Sequence, residues 1–291
     1  MISIRVPATS ANLGPGFDCL GLALGLYNTF EVEPSDTMVY EGVDEKYQNE
    51  DNLFVKAFRT AGGRENIHVK FTYDVPISRG LGSSATLYTG GVLAYQLLHR
   101  CLDPDKLFSI VSDLEGHPDN AAPSVFGGLT ASMKSPRGWI THAIPLNETL
   151  RFTVLIPDVK ISTEEARAIL PESYPRKVAA SNSARAILTA EALRTGDMDL
   201  LKQAATDQLH EPYRRKLIPN FDVVKQIIDR EDAGALVISG SGSTCLLIGD
   251  RPLSSFAGVQ IMTLPDHWAV QELPVSSGPE FMENELWRGI I

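Results

Sequence analysis

Two hydrophobic patterns follow one another in the first third of the chain, joined by a short segment rich in glycine and serine. Residues 67–73 alternate apolar and polar side chains and are rich in β-branched and aromatic types, which predicts a strand. In residues 87–98 the apolar side chains recur at helical spacing, which predicts a helix. The connecting segment, residues 76–86, is therefore expected where a strand leads into a helix.

This connection has the composition of an anion-binding loop. Gly80 and Gly82 allow the backbone to approach a ligand closely, and Ser83 and Ser84 are typical N-cap residues. The first turn of a helix has N–H groups without intrahelical partners, and the helix dipole is positive at that end. We interpret the loop as a cradle for phosphate groups.

Other interpretations of the same loop compete with the phosphate cradle. A glycine-rich turn between a strand and a helix can also bind nothing. The P-loop of NTPases is excluded, because the sequence contains no Gly-Lys pair. Gly80, Gly82 and Ala85 fit the spacing of a dinucleotide fingerprint, and Asp103 and Asp105 follow about 20 residues later. No second apolar strand leads into those acids, which argues against a nicotinamide site.

The same patterns predict the elements of the rest of the chain, with residues 36–49 polar and exposed. Strands are predicted at residues 2–6, 28–33, 150–157, 235–238 and 245–248. Helices are predicted at residues 51–61 (capped by Asp51 or Asn52), 105–115, 177–195, 198–210 and 221–231, with one more beginning at Ser162 or Thr163.

The chain is expected to form two domains. Residues 150–157 are almost continuously apolar, which predicts a central, buried strand, and the composition changes near Arg151. We therefore place one domain at residues 1–150 and a second at residues 151–291. Residues 274–291 contain turn-forming residues and Trp287 but indicate no chemistry.

Composition narrows the class of protein. A chain of 291 residues with 43% hydrophobic and 21% charged residues is typical of a soluble globular protein. A net charge of −10 disfavours wholesale binding to nucleic acid or to anionic membranes. The three cysteines are scattered without metal-binding spacing, and no apolar run approaches the roughly 18 residues of a membrane span. We expect a protein of the reducing cytoplasm.

Three further segments concentrate polar or glycine residues in predicted loops. Residues 7–18 form a long loop that carries Asn12 and Asp18, either as turn-stabilising residues or as ligands. Residues 239–244 form a second glycine-rich loop, which is either a tight hairpin or a wall against a ligand. Four polar groups are bunched where a helix ends, which fits the wall of a site better than surface capping: Glu115, His117, Asp119 and Asn120.

Several of these segments together resemble the GHMP small-molecule kinases. Residues 76–85 (P-I-S-R-G-L-G-S-S-A) are similar to the phosphate-loop signature of that family, P-x-x-x-G-L-G-S-S-A. Residues 239–244 are similar to its carboxy-terminal glycine motif. The resemblance extends across nearly the whole chain, from Ile2 to about Ile248.

Other segments resemble one subgroup of the family, the kinases that phosphorylate homoserine. Residues 6–21 (V-P-A-T-S-A-N-L-G-P-G-F-D-C-L-G) are similar to its amino-terminal sequence, and Thr163-x-x-x-Arg167 and residues 211–214 (E-P-Y-R) also agree with it. The resemblance implies ATP-dependent phosphorylation of the side-chain hydroxyl of L-homoserine, giving O-phospho-L-homoserine for threonine biosynthesis. It also implies a homodimer.

The fold that the resemblance implies is α+β in two parts. The amino-terminal part binds ATP and contains a left-handed β-α-β crossover, against the usual right-handed rule. The carboxy-terminal part is ferredoxin-like. Periodicity alone predicts neither feature.

The resemblance also implies which residues bind the substrate. Homoserine is a zwitterion, so its pocket needs an anion for the ammonium group and a cation for the carboxylate. Asp18 can meet the ammonium group, and Arg167 and Arg214 can bind the carboxylate in a bidentate way. The substrate positions implied by the family are Asn12, Asp18, Asp119, Arg167 and Arg214.

For the nucleotide, the resemblance implies ATP with Mg²⁺. Ser84 and Glu115 match the magnesium ligands, although many relatives carry a longer insert after the residue equivalent to Glu115, so that its register has an alternative. The carboxy-terminal glycine loop contributes Gly240, Ser241 and Gly242. The implied ATP-binding positions are Asn52, Pro76, Ile77, Ser78, Arg79, Gly80, Leu81, Gly82, Ser83, Ser84, Ala85 and Thr86.

Two catalytic schemes and two other functions stay open at this stage. Asp119 either takes the hydroxyl proton as a general base or only holds the substrate, in which case Thr163 and Arg167 orient the hydroxyl and stabilise the transferring charge. The alternative functions are another GHMP kinase of mevalonate or shikimate type, or a non-catalytic binding protein of this fold. The presence of the loop glycines and both carboxylates, Glu115 and Asp119, favours an enzyme.

Overall fold

The larger of two sheets has eight strands and organises the amino-terminal part of the chain. A computed structural model describes residues 1–283 and 286–291. The main path of the sheet runs β12-β11-β1-β2-β4-β3, and β5 joins β2 and carries β6 at its other edge. Its strands are β1 (Ile2–Ala11), β2 (Leu20–Pro34), β3 (Val39–Glu41), β4 (Ile67–Tyr73), β5 (Leu129–Ser135), β6 (Gly138–Ile144), β11 (Glu280–Glu283) and β12 (Leu286–Gly289).

The first two strands are longer than the sequence predicts. Residues 7–11 were expected in a loop, but they continue β1, and β2 begins at Leu20 rather than at Asn28. The register shifts between Pro7 and Ala8, and this irregularity allows a proline within a paired strand. The expectation of a loop is wrong for residues 7–11, so the loop with Asn12 and Asp18 is short and its ends are held by strands.

Four helices cover one face of this sheet: α1 (Leu53–Ala61), α2 (Ser83–Leu98), α3 (Pro104–Glu115) and α4 (Pro118–Phe126). Apolar residues from the strands and helices form one buried cluster. Three phenylalanines lie at its centre, with Phe30 4.9 Å from Phe54 and 5.8 Å from Phe71 between ring centroids. Such edge-to-face and tilted packing is favourable beyond the area it buries.

A second sheet of four antiparallel strands has the order β10-β7-β9-β8. Its strands are β7 (Arg151–Ile156), β8 (Ala235–Ile238), β9 (Cys245–Gly249) and β10 (Ala269–Leu273). The chain order is strand, helices, two strands, helix, strand, which with this strand order is ferredoxin-like, as expected. The helices are α5 (Thr163–Ala168), α6 (Arg176–Thr195), α7 (Met198–Ala204), α8 (Glu211–Arg214), α9 (Phe221–Arg230) and α10 (Ser255–Met262).

The chain ends on the first sheet rather than the second. β11 pairs with β1 through Ile4 opposite Phe281, and Arg5 donates to Glu280 at 2.8 Å. Residues 280–283 and 286–289, which belong to the stretch that indicated no chemistry, therefore extend the amino-terminal sheet, although they fall in the range expected for the second domain. The division of domains at residue 150 stays a prediction, as does the left-handed sense of the crossover; a parallel β3–α1–β4 unit is present.

Several local predictions can be compared with the structure. The caps at Asn52 and Ser162 are confirmed, because their side chains accept from backbone N–H groups of their helices. The caps predicted at Ser83 and Ser84 are wrong, since Gly82 in a left-handed conformation is the N-cap and the serines are the first helical residues.

One helix is shorter than predicted, and two short helices were not predicted. The helix expected at residues 198–210 ends at Ala204, and residues 211–214, where no helix was predicted, form the short helix α8. The polar wall at residues 117–120 includes the start of α4, which the sequence did not predict. Across residues 1–283 and 286–291, none of the helices combines the length and the apolar character that a membrane crossing requires.

Candidate active site

A cleft of about 440 Å³ brings most of the predicted site residues together. Its walls come mainly from loops and helix ends of both parts of the molecule. The predicted residues that line it are Asn12, Asp18, Asn52, Ile77, Ser78, Gly80, Gly82, Ser83, Ser84, Glu115, Asp119, Thr163, Arg167, Arg214, Gly240 and Ser241. Those that do not line it are Pro76, Arg79, Leu81, Ala85, Thr86 and Gly242.

The loop between β4 and α2 forms one wall of the cleft with its backbone. Gly80 and Gly82 have φ angles of 77° and 65°, which side chains rarely adopt. A Cβ at Gly80 would lie 2.2 Å from the carbonyl oxygen of Ser239, and one at Gly82 would lie 1.9 Å from Oγ1 of Thr9. Glycine is therefore required at both positions, and α2 begins with its free N–H groups at the cleft.

The second glycine-rich loop, residues 239–244, is both a hairpin and a wall. It joins the antiparallel strands β8 and β9, and Gly240 and Ser241 line the cleft. Its backbone binds the amino-terminal part twice: Gly240 N–H donates to Ala11 O at 3.0 Å, and Thr244 N–H donates to Arg79 O at 3.0 Å. These bonds fix the two glycine loops against each other.

Some residues of the predicted ATP set serve the fold instead of the cleft. The Arg79 side chain donates to Pro157 O at 3.0 Å and to Asp158 at 2.6 Å, so it links the two parts of the molecule. Thr86 Oγ1 donates to Ser83 O at 2.8 Å. Leu81 and Ala85 are buried in apolar packing and contribute only backbone to the loop.

At the other end of the cleft, Asp18 and Arg167 form a bidentate ion pair. The two guanidinium nitrogens of Arg167 lie 2.7 and 3.1 Å from the carboxylate oxygens of Asp18. This hydrogen-bonded carboxylate raises the pKa of Arg167. About a third of each side chain is accessible, at 38% for Arg167 and 36% for Asp18, so both charges can be reached from the cleft.

Arg214 lies beside this pair and is almost fully buried. Its Nε donates to Ala166 O at 3.1 Å and its Nη1 to Gly240 O at 3.0 Å, which fixes the plane of the guanidinium. Among the described residues its Nη2 has no hydrogen-bond partner. Burial, and then the positive charge of Arg167, lower the pKa of Arg214. An anion in the cleft would relieve both costs.

Asn12 holds the loop between β1 and β2 in place. Its Nδ2 donates to Gly240 O at 2.9 Å, and its Oδ1 accepts from Asp18 N–H at 3.0 Å. Asn12 and Asp18 both have positive φ angles, at 74° and 54°, which asparagine and aspartate tolerate better than most residues. The amide therefore positions Asp18 as well as lining the cleft.

Asp119 lies between the two ends of the cleft, in the first turn of α4. Its Oδ1 accepts from Asn120 N–H at 2.9 Å and from His117 Nδ1, 2.6 Å away. Burial of His117 acts against its charge, but the hydrogen bond and the charge of Asp119 outweigh it and raise the pKa of His117. Oδ2 of Asp119 has no partner among the described residues, which leaves one oxygen for a ligand.

Ser84 and Glu115 meet where α2 begins and α3 ends. Desolvation raises the pKa of Glu115, against the lowering effect of His117 and of a hydrogen bond with Ser84. No group of three or more His, Cys, Asp or Glu side chains that could hold a metal ion occurs in residues 1–283 and 286–291. A cation here would have two protein oxygens, which suits Mg²⁺ when phosphate and water supply the rest.

Comparisons with known proteins show the family to which the chain belongs. The family model described as GHMP kinases N terminal domain matches residues 52–128, and the one described as GHMP kinases C terminal matches residues 189–257. A homoserine kinase of Clostridium botulinum (strain Okra / Type B1) is 40% identical over 285 residues, which cover 94% of this chain and 96% of that protein. This chain belongs to the homoserine kinases of the GHMP kinase family.

Solved structures of GHMP kinases share the fold. The crystal structure of homoserine kinase from Cytophaga hutchinsonii has a TM-score of 0.84 at 26% identity and covers 97% of each chain. The mevalonate kinase of Methanococcus jannaschii has a TM-score of 0.69 at 13% identity, covering 94% of this chain and 98% of that one, and it shows likeness of fold alone.

One wall of the cleft was missed by the sequence analysis. Residues 36–49 are mostly exposed, as expected, but the sequence did not indicate that Val43 and Tyr47 line the cleft next to Asn52 and Tyr73. Asn52 Nδ2 donates to Tyr47 O at 3.0 Å, which ties this segment to the start of α1. The segment contains only a three-residue strand and a short 3₁₀ turn, so it has no periodicity to detect.

Proposed function

We propose that this GHMP kinase transfers the γ-phosphoryl group of ATP to the side-chain hydroxyl of L-homoserine, giving O-phospho-L-homoserine for threonine biosynthesis. The relatives named above support the assignment, and the charges of the cleft are consistent with it. A cytoplasmic location and a homodimer are part of the same proposal.

The observation that carries the proposal is the set of charges opposite the phosphate loop. An anion, Asp18, and two guanidinium groups, Arg167 and Arg214, converge at one end of a single cleft. An amino-acid substrate presents an ammonium group and a carboxylate, which this arrangement complements. Mevalonate has a carboxylate without an ammonium group, and galactose and shikimate lack the ammonium group as well.

Bound homoserine would separate Asp18 from Arg167 and form a new ion pair with each of them. Its ammonium group would bind Asp18, and its carboxylate would bind Arg167 and the free Nη2 of Arg214. Because the charges exchange partners instead of losing them, little charge is left unpaired in the bound state. The side-chain hydroxyl would then extend from this end towards the phosphate loop.

ATP would lie along the opposite wall. Backbone N–H groups at the start of α2 face the cleft beside Gly80 and Gly82, where they can bind phosphate oxygens. Tyr47 and Tyr73 border the part of the cleft next to Asn52, which suits the adenosine. Ser84 and Glu115 would hold Mg²⁺, which neutralises charge on the phosphates.

Asp119 would act on the hydroxyl. One of its oxygens is committed to His117 and Asn120, and the other is free at the cleft. We assign it the role of accepting the hydroxyl proton during transfer. Thr163, together with Arg167 acting through the substrate carboxylate, would orient the acceptor, since phosphoryl transfer depends mainly on alignment and charge stabilisation.

An ADP-release assay with four acceptors tests the proposal: L-homoserine, mevalonate, shikimate and galactose, each with ATP and Mg²⁺. We expect release with homoserine at a rate far above that with the other three. Release with another acceptor and none with homoserine would assign a different GHMP kinase activity. No release with any acceptor, from protein shown to be folded, would favour the non-catalytic alternative.

A further inference from the structure

Phe17 lies at the amino-acid end of the cleft but does not line it. The centres of two guanidinium groups lie over its ring, Arg214 at 5.1 Å from the centroid and Arg167 at 5.7 Å. Both distances are within the range of cation–π attraction. One aromatic ring therefore contacts the two cations assigned above to the substrate carboxylate.

The other neighbour of the ring is His210, which is fully buried. The two rings stack with centroids 5.1 Å apart and an angle of 24° between their planes. His210 Nε2 donates to Gly14 O at 2.9 Å, which assigns the proton to that nitrogen and leaves Nδ1, 3.4 Å from Arg214 Nη1, as an acceptor. His210 thus connects the loop of Phe17 to the helix of Arg214.

This arrangement offsets the repulsion between the two guanidinium groups. Two guanidinium groups in one partly desolvated place repel each other, and the charge of Arg167 contributes to the lowered pKa of Arg214. The negative π face of an aromatic ring attracts both cations and accepts no proton. It can therefore hold them near one point without occupying the positions that a carboxylate needs.

We propose that Phe17, which packs against His210, is a positioning residue that orients Arg167 and Arg214 for the carboxylate of the substrate. The inference rests on the proposed function, since it assumes an amino-acid acceptor. It assigns Phe17 no contact with substrate. Its effect should fall on the recognition of the carboxylate and not on ATP or on the ammonium group.

Three acceptors separate these effects: L-homoserine, 3-aminopropan-1-ol, which lacks the carboxylate, and 4-hydroxybutyrate, which lacks the ammonium group. For Phe17→Leu we expect kcat/KM to fall about tenfold with homoserine and with 4-hydroxybutyrate, mostly through KM, the scale of two partly desolvated cation–π contacts. The value with 3-aminopropan-1-ol and the KM for ATP should change less than about twofold. Phe17→Tyr keeps the ring face, so this variant should retain most of the kcat/KM of the unaltered protein.

Two controls distinguish orientation from packing. Replacing the Phe17 ring by a pentafluorophenyl ring keeps its shape and reverses the polarity of its face, so it should reproduce the loss of Phe17→Leu even if that variant folds poorly. Tyr27→Leu removes a comparable contact, with Arg5 at 4.7 Å, outside the cleft and should change no kinetic constant by more than about twofold.

The results distinguish a failure of the role of Phe17 from a failure of the proposed function. If the unaltered protein phosphorylates homoserine but the Phe17 variants lose activity equally with all three acceptors, or the pentafluorophenyl variant behaves as the unaltered protein, the role of Phe17 is refuted and the function stands. If the unaltered protein does not phosphorylate homoserine, the proposed function fails instead, and the role of Phe17 fails with it.

Discussion

The two ends of the cleft offer different kinds of group to a ligand. At the phosphate end, the groups offered to a ligand are backbone N–H donors, and glycines at Gly80 and Gly82 shape the loop. At the amino-acid end they are charged side chains, each held by contacts with distant segments. In the proposed function, the first end binds the phosphates of ATP and the second end selects the acceptor.

Asp119 stands between the two ends, so its loss should have the largest effect. We expect Asp119→Asn to lower kcat by about 100-fold or more, the usual scale for loss of a general base. Asparagine keeps an acceptor for His117 and Asn120, which limits changes to the fold. Steady-state kinetics with varied homoserine provide the check. A change in KM alone would mean that Asp119 only holds the substrate.

At the phosphate end, Gly80→Ala tests whether the loop requires a residue without a side chain. The added Cβ would lie 2.2 Å from the carbonyl oxygen of Ser239 at a φ of 77°, so the loop must move. A displacement of about 1 Å can cost about 100-fold in rate, and we expect a loss of that size in kcat/KM for ATP. Gly128→Ala is the matched control, because its φ is 58° and nothing lies within 4 Å of the new atom. Equal effects of the two substitutions would count against the cradle.

At the amino-acid end, Arg214→Leu should raise the KM for homoserine by about 10- to 100-fold, since a hydrogen bond to a charged group contributes about 1.5–3 kcal/mol. The KM for ATP should stay within about twofold. Because Arg214 also binds two backbone carbonyls, circular dichroism and a melting curve must show that the variant is folded. An equal loss for both ligands would argue against a carboxylate site.

The smallest effect concerns the stability of the short helix α8, which carries Arg214. Glu211 begins the same short helix, and burial raises its pKa to about 8. A carboxyl with a raised folded-state pKa contributes stability that is complete below the unfolded-state pKa and is lost as the pH rises to about 8.

We therefore expect the free energy of unfolding to fall by about 1–2 kcal/mol between pH 6 and pH 8 on account of Glu211, allowing for its partial exposure. Glu211→Gln should remove this slope, whereas the exposed Glu164→Gln should keep it. Urea unfolding at the two pH values measures the difference. An unchanged slope in Glu211→Gln would show that the carboxyl is already ionised in the folded protein.

The two ends also differ in how much the sequence could predict. The phosphate loop is contiguous, so its residue types and spacing were enough to predict the strand, the glycine-rich turn and the helix, whereas anion binding by the turn stays a prediction. The detail that failed was the cap: Ser83 and Ser84 have the right side chains, but Gly82 occupies the left-handed position that ends the loop.

The amino-acid end depends on contacts that no local pattern contains. Asp18 and Arg167 were predicted separately, through a family resemblance, but their ion pair joins positions 149 residues apart. The stacking of Phe17 on His210 and the return of β11 to β1 are likewise long-range. The wall at Val43 and Tyr47 was missed because an irregular segment gives no periodic signal.

The most direct test of the central claim is a competition in one reaction. L-homoserine and mevalonate are supplied at equal concentration with limiting ATP and Mg²⁺, and both phosphorylated products are quantified against the ADP formed. The charges at the amino-acid end predict that O-phospho-L-homoserine accounts for nearly all of the ADP. Phosphomevalonate as the main product, or ADP without O-phospho-L-homoserine, would contradict the account.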